Sequence, residues 1–445
     1  MYREAERDLL AWRDQPEFKP LLVRGARQTG KSYLVEKFGE KYFDHFVVVN
    51  FEFNRKFRAC FEDLDPVKII SMLSRMTNKE IVPGKTLLFL DEIQECPEAI
   101  LALRYFKEKM PNLHVIAAGS LLEFVLNKPD FRMPVGRIQS YYLTPCTFNE
   151  YLMASGYDKL CESLSEVSLE TGLEAGLHDL LLERVKEYFV LGGMPEVISH
   201  FTRHHDLRQC HAIQASLLEF YRKDFGKYGL HTKVNYLETL FDKIPRFIAQ
   251  KFKYASAMPE VLSRDLKPVL QALIDAGLVS PVHHTSASGL PLHSTINERI
   301  FKLFFVDIGL VSHMNELDLY EVIAEPLMSL NRGALAEQYV YQELISSQRS
   351  YEKAQLFYWQ RDKRGSTAEV DFVINVGSKI FPVEVKSGKT GRLKSLRVFL
   401  EEKKATLGLR VSEQPLSYQQ GILSVPFYLI REIPRLVQEV LSVAD

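Results

Sequence analysis

An α/β fold built on a parallel sheet is what this sequence predicts, and three stretches predict it. Gly25-Ala26-Arg27-Gln28-Thr29-Gly30-Lys31-Ser32 lies between the short apolar run Pro20-Leu21-Leu22-Val23 and the helix-like Tyr33-Leu34-Val35-Glu36-Lys37-Phe38. Thr86-Leu87-Leu88-Phe89-Leu90 is apolar and ends in Asp91 and Glu92. Far along the chain, two strand-like runs, Ala368 to Ile374 and Ile380 to Lys386, carry Asp371, Glu384 and Lys386 among apolar residues.

The first stretch fits G-x-x-x-x-G-K-[ST], a phosphate-binding loop, with the strand before and helix after that the motif requires. Gly25 and Gly30 allow the tight turn that turns backbone N–H groups toward phosphate oxygens. The helix N-terminus adds partial positive charge. Lys31 is expected to reach the β- and γ-phosphates and Ser32 to ligate Mg²⁺. Gly25, Ala26, Arg27, Gln28, Thr29, Gly30, Lys31 and Ser32, with Tyr33 after them, form the expected ATP-binding set.

The chain has 445 residues, too many for one core, so about three domains are expected at ~100–200 residues each. Lysine plus arginine number 56 and aspartate plus glutamate 57, so no whole-chain charge points to nucleic acid. Cys60, Cys96, Cys146, Cys161 and Cys210 are scattered and lack C-x-x-C spacing. That argues against a disulfide framework or zinc site and for a reducing compartment. The charged start, Met1 to Arg7, lacks a signal-peptide core, and no apolar run is long enough to span a bilayer. A cytoplasmic protein without membrane contact is the expectation.

Val47-Val48-Val49-Asn50-Phe51-Glu52 reads as a second strand, β-branched and short. Asp91 then stands at the C-terminal edge of a buried parallel strand, where ligands collect in open α/β sheets. It is expected to hold Mg²⁺, and Glu92 to take a proton from the attacking water. Asn112 to Ser120 is a further strand; Ser120 either bonds the γ-phosphate or merely ends the strand. Gly136-Arg137 precedes a fifth strand, Ile138 to Leu143, and Arg137 is either an arginine finger or a surface arginine.

Gly25 to Ser32, Asp91-Glu92 with Ile93-Gln94, Gly119-Ser120 and Gly136-Arg137 together resemble the AAA+ ATPase domain of a large bacterial and archaeal family. In that family the ATPase is fused to a C-terminal domain of unknown function with a restriction-endonuclease-like core. Gly192-Gly193-Met194-Pro195 resembles the Gly-Gly-x-Pro element that follows the ATPase there. The resemblance implies an extra strand between the two nucleotide strands, and a homo-oligomer.

Residues 1–150 are thus expected to form the ATPase core. In 151–235, Leu177, Leu180, Leu181, Val185, Tyr188 and Phe189 recur at helical spacing, which suggests a helical lid. Over 236–315 a helix ending near Gly277 precedes β-like stretches at Val279–His283 and Phe301–Val306. Helix, helix and β-wing form a winged-helix-like pattern, and the family's middle segment looks like one. Lys251, Lys253, Arg264 and Lys267 either face DNA phosphates there or do not, since many winged helices bind only protein.

Residues 316–445 are expected to form an α/β restriction-endonuclease-like domain. Arg332 to Leu344 reads as a helix that places Glu337 among apolar residues. The strand period of two puts Glu384 and Lys386 on one face. An acid on one strand and E-x-K on the next is the PD-(D/E)xK arrangement, or else a solvated face with alternating charges. In the first case Glu337, Asp371 and Glu384 would hold a second Mg²⁺ or Mn²⁺, and Lys386 would act on the attacking water. Two functional readings compete: an ATPase driving a nuclease-like effector on nucleic acid, and a regulatory ATPase whose C-terminal domain binds protein or DNA without cutting. A small-molecule kinase is disfavoured, because Asp91-Glu92 suits activated water.

Overall fold

The computed structural model describes residues 1–128, 131–133, 136–228, 233–317, 333–363, 365, 367–386 and 393–444. The chain divides into two compact units. The first comprises Met1–Pro145 with Asp275–Leu278 and Arg349–Lys353; the second comprises Cys146–Ile274, Val279–Gln348 and Ala354–Asp445.

The first unit is a parallel sheet of β1 (Leu21–Arg24), β2 (His45–Asn50), β3 (Thr86–Asp91), β4 (His114–Ala118) and β5 (Gln139–Tyr142), in the order β2-β3-β4-β1-β5. All the pairings are parallel. The expected strands are all present, and β4 lies between β1 and β3, which is the extra strand the resemblance implied. Strand residues alternate between two cores, as a sheet covered on both faces requires. Leu22, Val49, Leu88, Leu90 and Val115 face the helices Pro66–Thr77 and Pro97–Lys109. Leu21, Val23, Leu87, Phe89 and Ile116 join a second core with Trp12 and Phe38, from Ala5–Arg13 and Lys31–Tyr42. Burying each such side chain stabilises the fold by ~1.5–3 kcal/mol.

The second unit joins helices to one mixed sheet. Its strands are β6 (Val279–Thr285), β7 (Ile296–Phe305), β8 (Phe357–Gln360), β9 (Glu369–Val376), β10 (Lys379–Val385), β11 (Gly408–Ser412), β12 (Ser417–Gln419) and β13 (Ile422–Pro426). Their order is β12-β13-β11-β10-β9-β8-β6-β7. This differs from the expectation of separate domains at 151–235, 236–315 and 316–445. The hairpin β6–β7 follows helix Ser263–Asp275 as a wing would, yet β6 pairs in parallel with β8 and so belongs to the C-terminal sheet. Long-range strand pairing of this kind leaves no local mark in sequence. Helix Gly333–Ser346 carries Glu337. Arg332, expected to open it, lies outside the described residues.

Gly192 and Gly193 end the helix Ala175–Leu191. A Cβ on Gly192 would lie 2.2 Å from Asp307 Oδ1, and one on Gly193 would lie 2.2 Å from the Cys146 carbonyl oxygen. The Gly-Gly element is therefore a close backbone crossing. The Gly193 N–H donates to Asp307 Oδ2 at 2.6 Å, and Asp307 also caps the helix Ile308–Met314 through Leu310 N–H.

Candidate functional site

The loop after β1 is held open by its own backbone. Gly25 has φ 147°, and a Cβ there would meet the Leu143 carbonyl oxygen at 2.3 Å. Gly30 takes φ 87° at the N-cap of Lys31–Tyr42. Both conformations disfavour a side chain. Thr29 is buried and its hydroxyl donates to the Ala26 carbonyl at 2.9 Å. Arg3 braces the loop from outside: its guanidinium donates to the Thr29 carbonyl at 3.0 Å and the Thr144 carbonyl at 2.7 Å. Nothing in the sequence singled out Arg3, since its partners are backbone atoms distant in the chain.

Lys31 is buried and folds onto the loop. Its ammonium donates to the carbonyls of Gly25 at 3.0 Å and Ala26 at 2.7 Å. Burial pushes it down to about 8, against the pull of Glu92 and Asp91. Ser32 Oγ donates to Asp91 Oδ1 at 3.0 Å. Asn50 Nδ2 donates to Asp91 Oδ2 at 3.0 Å, because β2 and β3 set Asn50 directly beside Asp91. Burial, then the neighbouring Glu92, raises the Asp91 carboxyl. A hydroxyl and one carboxylate side by side are the protein donors that Mg²⁺ uses when phosphates and water supply the rest.

Glu92 leaves β3 in the left-handed region, φ 49°, and its Oε2 accepts from Gln94 Nε2 at 2.5 Å. Gln94 in turn is wedged against Gly119, where a Cβ would meet Gln94 Oε1 at 2.0 Å. Gln94 was legible as a polar residue beside the acid pair, whereas Asn50 was not, because only the register of β2 against β3 brings it to Asp91. Ser120 is buried just beyond β4, at the same edge as the loop, and Tyr33 is 46% exposed on the helix that follows it. Arg27 and Gln28 lie in the loop, Gln28 at φ 67°.

Arg137 takes the second of its two alternatives, a surface arginine. It precedes β5, whose first residue Gln139 aligns with Leu21 at the start of β1. The phosphate loop follows the other end of β1, so the strand's length, roughly 13 Å at ~3.3 Å per residue, separates the two. Arg137 is exposed and pairs with Glu108 at 3.0 Å. Within its own chain it does not reach the loop.

In the second unit, β9 and β10 run antiparallel with Phe372 opposite Val383, so Asp371 and Glu384 fall on one shared face. Lys386 pairs with Glu384 at 2.6 Å. Asp371 Oδ2 accepts from the Val385 N–H at 2.7 Å. Sequence reasoning missed Lys302 of β7, visible only as one charge in Phe301-Lys302-Leu303-Phe304-Phe305. Its side chain is 2% exposed and its ammonium lies 3.1 Å from Glu337, 2.9 Å from Glu369 and 3.8 Å from Asp371. Burial, then the Asp371 charge, pushes Glu337 up to about 8 and Glu384 up to about 7. Burial alone would lower Lys302, but the charges of Glu337, Asp371 and Glu369 outweigh it and raise it. The expected metal set of Glu337, Asp371 and Glu384 is brought together without the form of a metal site: among the described residues, no three His, Cys, Asp or Glu side chains are arranged to hold an ion. Lysine ammoniums balance the acids instead.

Of the four basic residues whose contact with DNA phosphates was left open, Lys251 pairs with Glu369 at 3.1 Å and Arg264 lies 3.9 Å from Asp265. Among the described residues, no helix is long and apolar enough to cross a membrane.

The family model for an AAA domain matches residues 17–152. Two others, each described as a domain of unknown function, match 182–321 and 332–429. No curated protein matches. Among solved structures, the Walker-type ATPase PABY2304 of Pyrococcus abyssi is 14% identical, covers 71% of this chain and 95% of its own, and has a TM-score of 0.44. The Aeropyrum pernix Orc1 protein in complex with DNA is 13% identical, with 71% and 92% covered and a TM-score of 0.27. The RuvB Holliday junction branch migration motor of Thermotoga maritima is 17% identical, with 63% and 89% covered and a TM-score of 0.29. These scores are low, and the assignment stands on the AAA match and the loop itself. Residues 17–152 form an AAA-type, ATP-binding P-loop domain.

Proposed function

We propose that this protein is an ATP-hydrolysing switch whose C-terminal unit is the effector. The observation that carries the first half is one edge of one sheet presenting the loop lysine, Ser32, Asp91, Glu92 and Ser120. ATP lies along Gly25 to Ser32, with Tyr33 beside it. Lys31 exchanges its two loop carbonyls for phosphate oxygens. Ser32 and Asp91 would hold Mg²⁺, which when bound neutralises phosphate charge. Glu92, oriented by Gln94 through Oε2, accepts the proton of the attacking water, while Ser120 donates toward the γ-phosphate or that water. Titration calorimetry and single-turnover hydrolysis test this. Lys31→Ala is expected to abolish ATP binding, and Glu92→Gln to keep binding while slowing turnover ~10²–10⁴-fold. Unchanged behaviour in both variants overturns the reading.

The C-terminal unit is read as a nuclease-like domain that acts on or binds nucleic acid. Lys302 favours a second reading, a regulatory ATPase whose C-terminal unit binds a protein or DNA without cutting it. A cleavage assay on single- and double-stranded DNA with Mn²⁺, with and without ATP, separates the two.

A further inference from the structure

We propose that Lys302 stands where a divalent cation would otherwise sit between Glu337, Glu369 and Asp371, so that the C-terminal centre works without a metal. The inference deepens the second reading above and is independent of the ATPase assignment.

The arrangement is one of matched donors and acceptors. An ammonium has three N–H donors and no acceptor. Here two of them reach Glu337 at 3.1 Å and Glu369 at 2.9 Å; Asp371 at 3.8 Å adds charge attraction without a hydrogen bond, and the ammonium lies over the Tyr358 ring at 5.3 Å. Divalent ions of this type need oxygen ligands at ~2.0–2.6 Å from several sides. An ion seated among these oxygens would share them with a positive charge that cannot retreat, because the Lys302 side chain is 2% exposed. A buried charge of this kind persists only when paired.

The remaining oxygens are largely spoken for as well. Asp371 Oδ2 takes the Val385 N–H, and Glu384 Oε1 takes Lys386 at 2.6 Å. Glu369 also pairs with Lys251 at 3.1 Å. Glu384 Oε2 is buried without a hydrogen-bond partner. A divalent ion on the oxygens that are left would still lie against the Lys302 charge, which opposes the filling of its ligand shell. The consequence is functional. Without a metal to activate water and neutralise a leaving phosphodiester, the acids and Lys386 form a charge-balanced binding face.

Mn²⁺ titration followed by electron paramagnetic resonance tests this on full-length, nucleotide-free protein carrying Asp91→Asn to remove the first site. With Lys302 intact, no Mn²⁺ binding that depends on Asp371 is expected up to ~1 mM, the weak end of protein sites for such cations. Lys302→Met, which keeps the stem and removes the charge, is expected to create one Mn²⁺ site that Asp371→Asn abolishes again. If Lys302→Met folds only when Mn²⁺ is added, the ion replaces the ammonium and the proposal holds. Two results overturn it: Asp371-dependent Mn²⁺ binding with Lys302 intact, or a folded Lys302→Met protein that gains no site. The intact-lysine titration decides even if the variant never folds, and ATP binding by the Asp91-intact parent reports separately on the ATPase reading.

Discussion

Replacing Lys31 by methionine should make the nucleotide-free protein more stable, although it destroys the ATP site. The magnitude follows from the lysine's surroundings. Burial takes Lys31 from its ordinary 10.5 to about 8. At ~1.36 kcal/mol per pH unit, keeping it charged at pH 7 costs the folded state ~3 kcal/mol. Methionine fills similar space and removes that cost. Against it stand the hydrogen bonds to the Gly25 and Ala26 carbonyls, whose loss costs ~1–2 kcal/mol. The net gain is ~1–2 kcal/mol, a rise in Tm of ~2–8 °C for a unit of this size. The sign with pH is also determined. Between about 8 and 10.5 the unfolded chain keeps the proton that the folded lysine has lost, so the parent gains stability as pH rises through that window. The methionine variant's advantage should therefore shrink from pH 7 to pH 10. Denaturant titrations at both pH values measure this, and added ATP–Mg²⁺ should raise the Tm of the parent only. A variant less stable than the parent at pH 7, or an advantage that does not change with pH, refutes the argument.

Gln94→Ala should lower kcat for ATP hydrolysis without changing nucleotide affinity, because Gln94 orients Glu92 and does not line the phosphate loop; stopped-flow turnover beside calorimetry reads both. Gly119→Ala should act the same way, since its Cβ displaces the Gln94 carboxamide, and wild-type kcat in either variant shows that the Glu92–Gln94 bond is irrelevant. Gly192→Ala should destabilise the second unit by more than ~2 kcal/mol, through a left-handed φ of 72° and a clash with Asp307, which denaturant unfolding measures. Burial raises Asp307 from 3.8 to about 6, so its neutral form stabilises the fold most below pH 4 and that contribution is lost as pH rises through 6. Relative to an Asp307→Asn protein, the parent should lose ~3 kcal/mol between pH 4 and pH 7.

The sequence by itself determined the strands of the first unit's sheet and the motifs at its edge. A phosphate loop is local: its glycines, lysine and serine lie within Gly25–Ser32, and strand and helix flank it directly. Asp91 and Glu92 are equally local, since an apolar strand ending in acids puts them at the ligand edge of a parallel sheet. Arg137 shows where that logic stops. A residue beside a strand can lie at either edge, and only the register of β5 against β1 placed it away from the loop. The second unit went further beyond sequence. Asp371, Glu384 and Lys386 were readable because the strand period aligns them, and β9 and β10 are neighbours in the chain. Lys302 was not, because it reaches them from β7, more than sixty residues before β9. Whether a carboxylate cluster needs a metal depends on every charge that folds against it. Tertiary structure alone supplied that ammonium, and likewise drew the hairpin β6–β7 into the C-terminal sheet, because strand pairing across such separations is set by packing rather than by local pattern.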